Sequence, residues 1–123
     1  MKFLHRTFKV AGYTKFPFRV PAEQVNPKLQ GSFRAFVKKT EEDATSEQPS
    51  PVDVMVMTPA EFDAFAHGRG GEISYSIDAS EGQSVDYALP PTLDTPADYY
   101  LVFHNSEQGA SSKMVQADFT LSF

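Results

Sequence analysis

The residues with most chemical promise stand in one short stretch, DYYLVFHNSEQGASSK, from Asp98 to Lys113. His104 is followed at once by Asn105 and Ser106. A histidine near a serine hydroxyl could serve as the base that activates a nucleophile, an arrangement known by its geometry. The chain has no G-x-S-x-G elbow and no strand–turn–helix context to present one. Asn105, Ser106 and Gly109 are turn formers whose side chains bond to nearby backbone. The stretch therefore reads as a strand, Tyr99 to Phe103, running into a turn that opens a hairpin to the last strand. No catalytic residue is assigned, and the chain is not read as an enzyme.

The remaining candidates for chemistry have simpler explanations. His5, His67 and His104 lack a partner at metal-motif spacing such as H-E-x-x-H. His67 falls in the last turn of a predicted helix, where a cation suits the dipole. Glu41, Glu42, Asp43 and Glu47 form an acidic run without the D-x-[DN]-x-[DN]-G pattern of a calcium loop, so they read as solvated charge. GRGG at 68–71 follows its helix, whereas a phosphate loop precedes one. Cysteine is absent, which removes disulfides, thiolate metal sites and thiol nucleophiles together. No metal and no cofactor is expected.

Aromatic residues suggest binding instead. Tyr75, Tyr87 and Tyr99 sit at inward-reading positions and belong to a core with hydroxyls at its rim. Tyr100 lies on the opposite face of its strand and could form part of a sugar- or peptide-binding surface. Tyr100, His104 and Asn105 are thus the candidate ligand-binding residues.

The elements that must position them follow a period of two. Phe33, Ala35 and Val37 alternate with Arg34, Phe36 and Lys38; Val52, Val54 and Val56 with Asp53, Met55 and Met57. Ile73, Tyr75 and Ile77 form a third inward set, and Val85, Tyr87 and Leu89 a fourth. Val115, Ala117, Phe119, Leu121 and Phe123 form the last. The run YYLVF is apolar on both faces and suits a central strand. One or two further strands lie around Thr7–Ala11 and Lys15–Val20, with Pro17 and Pro21 pushing that region to a sheet edge. Thr58, Pro59 and Glu61 make a capping box for a short helix near 58–67 that Gly68 ends. The polar segment Thr40–Pro51 reads as the most mobile loop. The fold class is all-β: an antiparallel β-sandwich, jelly-roll or immunoglobulin-like, of seven or eight strands, in a single domain 1–123.

The chain has 123 residues and a formal charge of −5, with its lysines and arginines mostly interleaved among apolar residues of the first third. That excludes nucleic acid as an expected partner, because phosphate binding needs a basic patch. No run is long and apolar enough for a membrane span. The opening MKFLHRTFKV has no apolar stretch after its basic residues, so it is not a signal peptide, and any export leader is absent from this chain. Sheet edges can pair, so a monomer or weak homodimer is expected.

The residues of DYYLVFHNS and SSKMVQADFTL also resemble the closing hairpin of GOLD-type domains, the lumenal β-sandwich of a family of cargo-binding membrane proteins. Tyr99, Phe103, Asn105, Ser106, Lys113, Val115 and Asp118 match in order, VDVMVM is similar to the family's central strand with Asp53 in place, and GSFRAFV resembles its early strand at Gly31–Phe33. Val102 stands where eukaryotic members carry a disulfide cysteine, and Ala97 replaces a usual glycine. The likeness is closer to small bacterial exported or pre-peptidase-type sandwiches. The resemblance implies a non-catalytic interaction module, extracytoplasmic or envelope-associated, with protein partners. The alternative is a carbohydrate-binding module that uses exposed tyrosines.

Overall fold

A computed structural model describes residues 1–42, 44–107 and 111–123. Among them are nine strands and one helix: β1 (Lys2–Val10), β2 (Tyr13–Val20), β3 (Lys28–Glu41), β4 (Ala44–Pro49), β5 (Val52–Met57), α1 (Pro59–Ala66), β6 (Tyr75–Ser80), β7 (Gly82–Ala88), β8 (Ala97–His104) and β9 (Lys113–Ser122). They form two antiparallel sheets. One runs β1-β9-β3-β4, with β7 on the same flank of β3 as β4; the other runs β2-β8-β5-β6. The chain is an all-β sandwich with one short helix, as the alternation of its side chains predicts.

The period of two builds the interior. Phe8 and Val10, Phe33 and Ala35, and Val115, Ala117, Phe119 and Leu121 come from the first sheet. They meet Phe18 and Val20, Val52, Val54 and Val56, and Tyr99, Leu101 and Phe103 from the second. Phe103 has no exposed surface and lies edge-on to Phe8, Phe16, Phe33 and Phe119. β8 is central, between β2 and β5, and the proline-bearing β2 is an edge strand. Gly31, opposite Phe119, leaves no room for a side chain: a Cβ there would collide with the Asp118 carbonyl oxygen and lie 2.8 Å from Phe119 Cα.

Several expectations need correction. The segment Thr40–Pro51 is not simply a loop, because 44–49 pair with β3 as an edge strand. All six of its residues are exposed, so no hydrophobic alternation announces it. This strand and the separate β1 and β2 raise the count to nine. The predicted β8–β9 hairpin does not form: β8 pairs with β2 and β5, whereas β9 pairs with β1 and β3. The chain after His104 thus crosses between the sheets; Gly109, assigned to that turn, lies outside the described residues, as does Asp43. Ile73 is exposed because β6 starts only at Tyr75, and Phe123 is exposed because it lies beyond β9. Phe36, outward by period, is buried with the Arg34 guanidinium 4.3 Å above its ring. Met55 and Met57, also outward by period, are buried with Phe62 and Val102 where α1 lies across the outer face of the second sheet.

Candidate functional site

Helix α1 is set by its own sequence. The Thr58 side chain accepts from the Glu61 amide at 3.2 Å, and Glu61 Oε1 accepts from the Thr58 amide at 2.9 Å. The same Oε1 accepts from the Ser74 amide and hydroxyl at 3.1 and 2.8 Å, which ties the helix start to the segment entering β6. Gly68, Gly70 and Gly71 carry φ values of 68°, 66° and 134°. Only glycine takes these freely, and they turn the chain sharply after the helix. The GRGG segment is therefore a helix stop and turn.

Between the helix and this turn lies an open groove of about 480 Å³. Tyr13, from the start of β2, and His104, from the end of β8, are opposite each other in the sheet and line it together. Phe65, Ile73, Glu61 and Glu72 complete its sides. Tyr13 is 44 % exposed and sits edge-on to Phe62 and Phe65, with centroids 5.5 and 5.7 Å apart. The His104 ring is perpendicular to Phe65 at 5.0 Å, and its Nδ1 lies 3.3 Å from Asp53 Oδ2. Asp53 Oδ1 in turn accepts from the Ala79 amide at 2.9 Å. His104 is thus held by aromatic contact on one side and a carboxylate on the other. No lysine or arginine lines the groove among the described residues, so it is acidic at its rim.

The three residues expected to bind ligand part company here. His104 lines the groove. Tyr100 lies on the same outer face of β8, half-buried, with its ring tilted 5.0 Å from Phe62 and Lys15 Nζ 4.8 Å from its centroid, outside the groove. It edges a second hollow of about 420 Å³ with Phe18, Pro59 and the paired Arg19 and Asp98. Asn105 is buried, and its Nδ2 donates to the carbonyls of Ala11 and Ser111, both at 3.2 Å. Its amide braces the loops instead of facing solvent. Tyr13 lies outside the strand expected at Lys15–Val20, because β2 begins two residues earlier. The inward series Phe16, Phe18 and Val20 extends back to Thr14 and would have placed Tyr13 on the outer face with Lys15.

A third hollow, about 380 Å³, lies on the outer face of the first sheet and includes His5, Ser32, Arg34, Gln116 and Asp118. Its polar groups already satisfy one another: Arg34 bonds Glu47 and Gln116, and Asp118 meets Lys2 and His5. It also offers no exposed aromatic face. Among the described residues no cluster of three or more metal-ligating side chains forms, and no helix is long and apolar enough to cross a membrane.

No protein-family model and no curated protein matches this sequence. A solved structure does match the fold: TmCBM61 in complex with β-1,4-galactotriose, at a TM-score of 0.52 and 9 % identity. The likeness covers 94 % of this chain and 68 % of that one. At this identity the comparison establishes the shared sandwich architecture.

Proposed function

We propose that this chain is a non-catalytic carbohydrate-binding module whose ligand lies in the groove between Tyr13 and His104. The observation that carries the reading is an exposed tyrosine beside hydrogen-bonding side chains on a rigid sheet. Sugar rings present C–H faces that pack on aromatics and hydroxyls that need fixed polar partners, and a concave site supplies both. Tyr13 and Phe65 offer apolar contact; His104, Glu61 and Glu72 offer donors and acceptors. The fold neighbour, solved with β-1,4-galactotriose, supports this reading over one based on protein partners. The acidic rim favours neutral sugars, since carboxylated or sulfated ones would meet like charge. Glycan recognition of this kind suits an extracytoplasmic setting.

Titration calorimetry with neutral β-linked oligosaccharides, β-1,4-galactotriose included, and with an oligouronate tests the proposal. Neutral ligands should bind, the uronate should not, and Tyr13→Ala should weaken binding about tenfold or more, the loss expected of a central aromatic contact. Binding that survives Tyr13→Ala but is lost in Arg34→Ala would move the site to the other sheet. No glycan binding, with capture of a defined protein, would favour the interaction module that the GOLD-like resemblance implies.

A further inference from the structure

Asp53 stands outside the groove but reaches it through one side chain. The ladders put Tyr13, His104 and Asp53 in a row across β2, β8 and β5, each directly opposite the next. Tyr13 and His104 line the groove; Asp53 does not. The Asp53 side chain is only 17 % exposed, and each of its oxygens has a partner. Oδ1 accepts from the Ala79 amide at 2.9 Å, and Oδ2 lies 3.3 Å from His104 Nδ1.

The neighbouring backbone is shaped for this contact. Register between β5 and β6 slips at Asp53: Val52 faces Ser80 and Val54 faces Ile77, so Asp78 and Ala79 together stand opposite one residue. Ala79 takes a φ of 50°, a left-handed value unfavourable for any residue with a Cβ. Core packing does not require it, because Ala79 is exposed. What the bulge does achieve is to set the Ala79 amide on Asp53 Oδ1. Strain that buries no side chain, yet fixes the orientation of an acid, points to a role for that acid.

The role follows from counting protons. A carboxylate only accepts, so Nδ1 of a neutral His104 must carry the ring proton to meet it. Nε2 then holds a lone pair. The ring lines the groove and the carboxylate lies outside it, so the ring edge turned away from Asp53, which carries Nε2, is the one a ligand meets. Nε2 has no hydrogen-bond partner among the described residues. Phe65, perpendicular to the ring at 5.0 Å, restricts its rotation. We infer that Asp53 is a positioning residue that fixes His104 as its Nδ1–H tautomer, so that the groove presents Nε2 as an acceptor and takes a ligand O–H or N–H there instead of a carbonyl or carboxylate oxygen. Glu61 and Glu72 also line the groove as acceptors, and no lysine or arginine does so among the described residues. A ligand rich in hydroxyl protons matches that set. That the donor is a sugar hydroxyl rests on the proposed glycan reading; the tautomer does not.

Imidazole nitrogen NMR on the isotope-labelled, ligand-free full chain reads the tautomer directly at pH about 8, above the ordinary histidine range. His104 should show a protonated Nδ1 and a bare Nε2. Asp53→Asn should reverse this. The Ala79 amide keeps the amide oxygen, the new NH2 group faces Nδ1 as a donor, and the ring proton moves to Nε2. An Asp53 that served stability alone would lower the melting temperature on substitution without reversing the tautomer. Diethyl pyrocarbonate, which acylates a bare imidazole nitrogen, gives a second measurement. His104 should react about tenfold or more faster in the wild type than in Asp53→Asn, with His5 and His67 unchanged as internal references. An Nε2–H tautomer or an even mixture in the wild type, an unreversed tautomer in Asp53→Asn, or equal reaction rates would each overturn the inference. β-1,4-Galactotriose should also slow the reaction at His104. If it fails to do so while the tautomer is as stated, the glycan reading falls and the role of Asp53 stands.

Discussion

At the scale of single residues, position and accessibility decide which polar groups can meet a ligand. Asn105 looks like a contact residue in the sequence because it follows a histidine in a turn. In the fold its amide holds the carbonyls of Ala11 and Ser111, one on each flanking connection. Asn105→Ala should therefore cost about 2 kcal/mol of stability through two lost bonds and leave glycan affinity unchanged in the folded fraction; chemical denaturation and titration calorimetry check both halves. Gly31 makes the complementary case. A methyl group there collides with the backbone of β9. Gly31→Ala should destabilise by about 2 kcal/mol or more, read as a lower denaturant midpoint at unchanged slope. His104 was legible as a strand-end side chain pointing away from Leu101 and Phe103. Its partners Tyr13, Phe65 and Asp53 were not, because they come from three other elements and only tertiary pairing brings them together.

Among elements, what the sequence discloses depends on whether an element has a buried face. β9 alternates cleanly, and its inward set Val115, Ala117, Phe119 and Leu121 is buried as the alternation predicts, with Phe123 the exception. The helix was read through its caps: Thr58, Pro59 and Glu61 occupy the places their chemistry implies. β4 has no buried side chain, so its pairing with β3 rests on backbone bonds and exposed partners such as Lys38 opposite Glu47, which leave no periodic trace. The sheet change between β8 and β9 was also hidden. Local turn residues show that a chain bends, whereas the choice between partner strands is settled by long-range packing. Two substitutions test the elements. Phe103→Ala should cost about 3–5 kcal/mol, as a ring with no exposed surface among four others, while Asp118→Asn should cost far less because its partners are exposed. Thr58→Ala should cost about 1 kcal/mol in thermal or urea unfolding.

Across the whole molecule, the two sheets need closure where their edges diverge, and tyrosines provide part of it. Tyr75 on β6 and Tyr87 on β7 belong to different sheets and stack with centroids 4.5 Å apart. Tyr99 stacks on Phe18 within the core. Burial raises the Tyr87 and Tyr99 hydroxyls above the ordinary value of 10.0, and the Glu61 carboxylate adds to both. The sign of the linkage is therefore fixed. A group whose pKa is higher folded than unfolded keeps its proton in the native state after the unfolded chain has lost it. The stability it contributes is complete below the unfolded value and disappears as pH rises through the folded one. The urea midpoint should accordingly fall as pH climbs from about 9 to about 11, and this fall should be shallower in Tyr87→Phe with Tyr99→Phe than in the wild type. Because lysines lose charge in the same range in both proteins, the difference between the two slopes isolates the tyrosines. Equal slopes would mean that these hydroxyls ionise as easily inside the sandwich as in water, and would overturn the account.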